Sequence, residues 1–380
     1  MKNAFYLLLG GFLFLSIQSC SDKIDDTLHH YTTDEFDILT RNLNIPEGTF
    51  DYSLVTNRPV ERDADLPFHK ATLGRVLFYD NMLSVDESTS CASCHKQELA
   101  FADNVKFSEG LEGNIGTRNS LPLGNTIGFV RYYGTDLFVP SGQFSWDESQ
   151  VSINDQSKAA ITSEIEMGHN MPDLVNKLKD LDYYQVLFKK VYGSEGINET
   201  NVLDAVTEFV NSFSSREAPF DMAIGASGNA NATFSAFTDS ENRGKSLFNS
   251  KCGSCHDMNH NAIILTAANN GLDLNYADQG MGEKVSNSSL DGVFKVPSLR
   301  NIELTGPYMH DGRFETLEDV VDHYSNGIKN HQNLHNFLKS GSQAKKLNFS
   351  GTDKDDLVNY LNTLTDQEFI TAVKYSDPFK

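Results

Sequence analysis

The chain of 380 residues carries 52 Asp and Glu against 31 Lys and Arg, a formal net charge of -21. Such an excess of carboxylates excludes a nucleic-acid-binding role, because it repels the phosphate backbone, and it makes a protein partner with a basic face easier to accommodate than an acidic one. The length suffices for two ordinary domains with real cores, and only five cysteines are present.

At the start, Met1-Lys2-Asn3 leads into an apolar run over residues 5–17, too short for an ordinary membrane-spanning helix, and Ser19-Cys20 then meets polar Ser21-Asp22-Lys23. The pattern resembles a bacterial lipoprotein signal, which implies removal of residues 1–19 and acylation of the Cys20 thiol; a plain secretory signal cleaved nearby is the alternative. Either route exports the chain, to the periplasm or the cell surface. No second apolar stretch approaches spanning length, so a lipid on Cys20 would be the membrane attachment. Residues 20–50 are expected to form a flexible tether.

Downstream, the chain repeats itself. Gly74-Arg75-Val76-Leu77-Phe78 precedes Cys91-Ala92-Ser93-Cys94-His95, and Gly244-Lys245-Ser246-Leu247-Phe248 precedes Cys252-Gly253-Ser254-Cys255-His256. Each copy reads as a helix delivering the chain to one motif, and the second helix has a capping-box start at Thr238 and Glu241. Between them, residues 170–191 look helical, and residues 201–213 carry an apolar stripe at helical spacing, Val202, Leu203, Val206, Phe209, Val210 and Phe213, expected to be core. The Gly/Ser/Asn/Ala-rich residues 225–233 read as a linker, dividing an N-terminal domain over 51–230 from a C-terminal domain over 231–380. Residues 354–364 are expected to be helical. The fold class is therefore all-α.

The spacing Cys-x-x-Cys-His has a chemical reason. Two thiols three residues apart reach the two vinyl groups of one porphyrin as thioethers, and the next residue sets an imidazole beneath the iron. Cys91, Cys94 and His95 would hold one haem c, and Cys252, Cys255 and His256 a second. A four-Cys zinc site or a redox dithiol does not need a His after the second Cys in both copies. Cys20 is the fifth cysteine, and none is left for a disulfide.

Around these motifs the sequence resembles the bacterial diheme cytochrome c peroxidase family, including its MauG branch, over residues 65–375. The carriers are Leu73-Gly74-Arg75 with Leu77-Phe78, Thr117-Arg118-Asn119, Trp146-Asp147, Gln156, Glu166-Met167, Ser214 with Pro219-Phe220-Asp221, residues 294–301, residues 304–312 and Thr316-Leu317-Glu318, in that order with the two haem motifs. The resemblance implies two α-helical cytochrome c-like domains whose haems face a shared interface. It also implies that the haem of His95 is the peroxide site, with Gln156 and Glu166 in its distal pocket, since Trp146, Gln156 and Glu166 reproduce the family's Trp-x9-Gln-x9-Glu spacing. Their chemistry suits that pocket, because breaking a peroxide needs a group that moves a proton between its oxygens and a donor that steadies the leaving one.

Trp146, the only tryptophan, matches a family residue that lies between the haems and helps electrons cross. The next residues, Asp147-Glu148-Ser149, depart from the family's common Asp-Gly-Arg, so the turn there is not carried over. At the second haem, Tyr324 stands where common peroxidases have a Met as sixth iron ligand and where MauG has tyrosine. An anionic phenolate favours ferric iron, whereas a thioether raises the potential; Met309, His310 and His323 are nearby competitors. The family also holds one calcium ion between the haems, and Asn119, Thr305 and Pro307 match its protein ligands, an oxygen set suited to a hard cation. Many family peroxidases rest with a loop His on the first iron. Here no His occurs between His95 and His169, and the corresponding loop over 105–116 offers Leu111, with Glu109 and Glu112 as solvated carboxylates.

The sequence thus reads as an exported diheme peroxidase reducing hydrogen peroxide to water at the haem of His95, with electrons from a small donor protein such as a cytochrome c or a cupredoxin arriving through the haem of His256. The alternatives are MauG-like oxidation of a protein or small organic substrate, and a non-enzymatic dihaem electron-transfer cytochrome.

Overall fold

The computed structural model describes residues 32–43, 66–126, 144–193, 196–256 and 265–379. The leader, Cys20 and most of the expected tether lie outside them. One part of that tether does not: Thr33–Asn42 forms a helix, α1, with a capping box between Thr32 and Glu35. Leu39 and Leu43 are buried in the same core as α6, introduced below, so this helix is anchored rather than free.

The N-terminal half runs through α2 (Leu66–Tyr79), the short turn α3 (Cys91–Cys94), α4 (Ile153–Thr162), α5 (Met171–Lys179), α6 (Asp182–Tyr192) and α7 (Glu199–Asn211). The single helix expected over 170–191 is two helices, because the chain breaks at Asp180 and Leu181. Asn170 caps α5 through its side chain, and Leu181 in extended backbone starts α6. The apolar stripe of α7 is core as expected, with Val202, Val206, Phe209 and Phe213 buried against Leu73, Leu77 and Phe78 of α2.

The C-terminal half contains α8 (Pro219–Ser227), α9 (Asp239–Lys251), α10 (Met281–Lys284), α11 (Leu317–Asp322), α12 (Gly351–Asn362) and α13 (Gln367–Thr371). Two antiparallel ribbons complete it: β1 (Ala267–Ala268) with β2 (Phe294–Lys295), and β3 (Lys339–Ser340) with β4 (Gln343–Ala344). Thr238 and Glu241 form the expected capping box on α9. The described structure is therefore largely helical.

The internal repeat has a steric meaning. A Cβ on Gly74 would sit 1.9 Å from the Ala205 carbonyl of α7, and one on Gly244 would sit 1.9 Å from the Asp356 carbonyl of α12. In each half a glycine lets the helix before the Cys-x-x-Cys-His motif cross its partner backbone to backbone, a contact no other residue permits. These crossings, α2 on α7 and α9 on α12, are the most extensive helix contacts in each half.

Buried apolar residues fall into two clusters. One runs from Leu39 to Phe213, and the other begins at Phe220 and Ala223 on α8. The core therefore changes over ahead of residue 230, and α8 takes up the first part of the expected linker. The chain end then returns to the first cluster. Phe369 and Tyr375 pack around the stacked pair Phe101 and Phe213 (centroids 3.9 Å apart), and the Tyr375 hydroxyl donates to the Ser212 carbonyl at 2.6 Å. The two halves are thereby stapled together, and the sites they carry keep a defined relation.

Candidate functional site

Both Cys-x-x-Cys-His motifs open onto cavities. The first, about 410 Å³, is lined by Cys91, Cys94, His95, Gln156 and Glu166, and the second, about 200 Å³, by Cys252, Cys255, His256, Met309 and Tyr324. Asn119, Trp146 and Lys295 line both. The tryptophan is thus the wall between them, where the sequence reading expects it, and its indole N–H donates to the Asn119 carbonyl at 2.8 Å.

The motif residues are prepared for haem in three ways. The ring Nδ1 of His95 lies 2.8 Å from the Phe101 carbonyl and that of His256 lies 3.2 Å from the Pro297 carbonyl. A carbonyl only accepts, so each Nδ1 carries the proton and each Nε2 keeps its lone pair for a metal. Burial also disfavours the imidazolium, lowering His95 and bringing His256 down to about 4, so both rings are neutral. Finally, burial pushes the Cys91 and Cys252 thiols up to about 12. A reactive dithiol requires the opposite shift, so these two buried thiols do not favour the thioredoxin-like reading.

In the first cavity, the Ser145 hydroxyl donates to Gln156 Oε1 at 2.5 Å, which leaves the amide NH2 of Gln156 as the group available to donate. Glu166 is solvent-accessible because it faces the cavity, yet the surrounding protein raises its carboxyl above the usual carboxylate range. Its position is set by a tight turn in which the Glu166 N–H donates to the Ser163 carbonyl at 3.1 Å. The loop over 105–116 is pinned against that turn: the Leu111 N–H reaches the Ile165 carbonyl at 2.9 Å, and a Cβ on Gly110 would lie 2.2 Å from the same oxygen. Ser108, Gly110 and Gly116 are the loop's lining residues, while Glu109 and Glu112 point elsewhere and are exposed. No histidine other than His95 lines this cavity among the described residues.

The second cavity is closed differently. Tyr324 sits in a widened helical turn over His323–Gly327 that continues α11, and burial pushes its phenol up to about 12. The Asn270 amide contacts both the Tyr324 hydroxyl and the Met309 sulfur at 3.5 Å. His323 is not among the lining residues of this cavity, and its Nε2 donates to the Asn270 carbonyl at 3.1 Å. His310 stacks on Phe294 at 3.7 Å and stands edge-on to Trp146.

Asn119, Thr305 and Pro307 all line this second cavity. Asn119 donates through Nδ2 to the Val105 and Lys106 carbonyls, which leaves Oδ1 as its acceptor. Among the described residues no cluster of three or more His, Cys, Asp or Glu is placed to hold a metal ion, so a cation there would depend on amide, carbonyl and water oxygens.

Three contributors carry little sequence signal. Ser145 and Asn270 act by reach alone. The third is a buried ion pair between the cavities, Lys295 Nζ with Glu148 Oε1 at 3.9 Å, whose carboxylate occupies a left-handed backbone position (φ +51°). Glu148 stands where the resembling family commonly has glycine, and that departure was the available hint. Trp146 accepts from the Lys295 backbone N–H at 2.8 Å, so the pair is tied to the bridging residue.

Comparison with known proteins identifies relatives of the chain. The family model for di-haem cytochrome c peroxidase matches residues 68–229. The methylamine utilization protein MauG of Methylorubrum extorquens is 33% identical over 307 residues, 78% of either chain. A cytochrome-c peroxidase of a Pseudomonas species is 27% identical over 344 residues, covering 82% of this chain and 84% of its own. Among solved structures, a MauG-like protein associated with microbial copper homeostasis superposes with a TM-score of 0.70 at 27% identity, over 89% of this chain and 98% of that one.

Proposed function

The chain belongs to the di-haem cytochrome c peroxidase and MauG family of oxidoreductases, and from that premise we propose that it reduces hydrogen peroxide to water at His95, with two electrons entering through the site of His256. The observation that carries the reading is the asymmetry of the two cavities: one is lined by a carboxylate and an amide, Glu166 and Gln156, and the other by a buried phenol and a thioether, Tyr324 and Met309.

A haem bound at His95 would supply the open coordination position and the electrons for breaking the O–O bond. The protein supplies the protons. The Glu166 carboxylate accepts the proton of the inner peroxide oxygen and returns it to the outer one, so that the outer oxygen leaves as water; two further protons and two electrons then convert the other oxygen to water. The Gln156 NH2, oriented by Ser145, donates to the leaving oxygen. Trp146 bridges the two sites, and Tyr324 is the side chain proposed to ligate the second iron. Asn119 Oδ1 with the Thr305 and Pro307 carbonyls is proposed to hold calcium. Export with anchoring at Cys20 is proposed from the leader pattern.

MauG-like oxidation of a protein or organic substrate is the second reading, favoured specifically by Tyr324 in the second cavity. Turnover of peroxide with reduced c-type cytochrome as donor supports the first reading. Consumption of peroxide without donor oxidation, accompanied by a modified co-substrate, supports the second. Because the loop over 105–116 brings no histidine to the first cavity, the fully ferric protein is expected to react with peroxide without prior reduction. Stopped-flow mixing checks this, and a reaction seen only after one-electron reduction would refute it.

A further inference from the structure

The overall charge of -21 hides an opposite local one. Between Asp322 and Asp353 the chain contains no Asp or Glu, but Lys329, Lys339, Lys345 and Lys346; between Glu241 and Asp257 there is again none, and Lys251 is exposed. These are the two segments that supply the mouth of the second cavity, through Lys251 on one side and His335, Phe337 and Leu338 on the other. Lys339 and Lys345 donate to the Gln332 and Phe337 carbonyls at 3.3 and 2.7 Å, which positions their ammonium groups without neutralising them. At the lip, Phe337 is 50% exposed and stands edge-on to His335. Beside the lining segments of the first cavity, Asp86, Glu87, Glu109, Glu112 and Glu164 are exposed, with Lys106 and Lys158.

We propose that the mouth of the second cavity, lined by Phe337 and Lys251 with Lys339, Lys345 and Lys346 on the carboxylate-free segment that carries Phe337, is the docking face for a small electron-carrier protein whose contact surface is apolar at its centre and acidic at its rim. The inference rests on the reading that electrons enter through the site of His256, and it reverses the partner polarity suggested by net charge alone. A long-range field of negative sign would favour a basic carrier. Yet at contact distances, within about 10 Å at ordinary salt, the local lysines govern docking. An apolar centre in a charged rim is the usual make-up of a transient interface, and a half-exposed phenylalanine at the lip supplies the anchor. The acidic surround of the first cavity leaves neutral peroxide unaffected while turning an acidic carrier away from it.

The test uses the haem-loaded full chain with peroxide and one donor in two charge states: a small basic cytochrome c, and the same protein succinylated to an acidic surface. At low ionic strength the acidic form is expected to be oxidised about 10-fold faster, with the advantage falling as salt rises. The double variant Lys339→Glu/Lys346→Glu should lose that preference while turnover with a small neutral hydroquinone is retained. Faster oxidation of the basic form, or an unchanged preference in the double variant, overturns the docking face. Anionic phosphatidylglycerol vesicles that capture the protein and block donor oxidation would assign the lysines to a lipid surface and overturn it too. Absence of turnover even with the hydroquinone would instead sink the peroxidase reading itself, so the two failures are distinguishable.

Discussion

The two cavities share everything on the side of the Cys-x-x-Cys-His motif and almost nothing on the other. Each is delivered by a helix whose glycine, Gly74 or Gly244, crosses a partner helix at backbone contact, and each has an imidazole oriented by a carbonyl. Away from the motif, Gln156 and Glu166 line one cavity, whereas Tyr324 and Met309, bridged by Asn270, line the other. The duplicated part of the fold makes two equivalent haem sites; the unduplicated loops make them different. Specialisation therefore lives in residues that the repeat does not encode, and the division of labour can be broken one loop at a time.

The largest effect is expected from Glu166→Gln. The change keeps shape and volume but removes the carboxylate that moves the proton, so peroxide turnover should fall by about 100-fold or more, with both haem absorption bands retained. The raised carboxyl of Glu166 adds a pH signature. Its ionised form is the base, so wild-type activity should decline as pH falls through a value above the ordinary carboxylate range, and the variant should lose that limb. Near wild-type rates in Glu166→Gln would erase the functional difference drawn between the cavities.

Tyr324→Met attacks the other side. A neutral thioether in place of a phenol that can ionise against ferric iron should raise the midpoint potential of the second centre, by an amount on the order of 100 mV given the range that axial ligands span. Spectroelectrochemical titration reads this directly. An unchanged potential and spectrum would show that Met309 or His310, which line the same cavity, is the ligand.

How much of this was legible beforehand follows the same line. The haem motifs, the helices before them and the stripe on α7 are local patterns of spacing, and they fold as spacing dictates. The residues matched by family resemblance, Trp146, Gln156, Glu166 and Tyr324, come to the two cavities they were assigned to. Ser145 and Asn270 were illegible because a single hydroxyl or amide acquires its role only when a remote segment closes over it. The helix over Thr33–Asn42 is hard to read in the sequence because an isolated amphipathic turn among polar residues resembles a tether; its capping box is a weak signal until Leu39 and Leu43 find α6. Net charge is a coarse signal for a different reason, since it averages over segments such as residues 323–352, which hold four lysines and no Asp or Glu.

The smallest effect concerns the wall between the cavities. Glu148 and Lys295 are 3% and 7% exposed, and burial works against both charges, raising the Glu148 carboxyl and lowering Lys295 to about 8. A carboxylate at a left-handed backbone position costs about 1 kcal/mol that glycine would not, and the pair at 3.9 Å offsets desolvation only in part. Glu148→Gln alone should therefore destabilise the protein by about 1–3 kcal/mol, because the buried ammonium loses its carboxylate, while Glu148→Gln/Lys295→Met should regain most of that loss. Lysine with a folded value near 8 binds fewer protons than in the unfolded chain between there and its ordinary value, so its contribution to stability rises with pH across that window. Thermal melts at neutral and alkaline pH should show the rise in wild type and its absence in Lys295→Met. If the double variant is as unstable as the single, the pair is not the unit of interaction, and Lys295 is held in the wall by something other than Glu148.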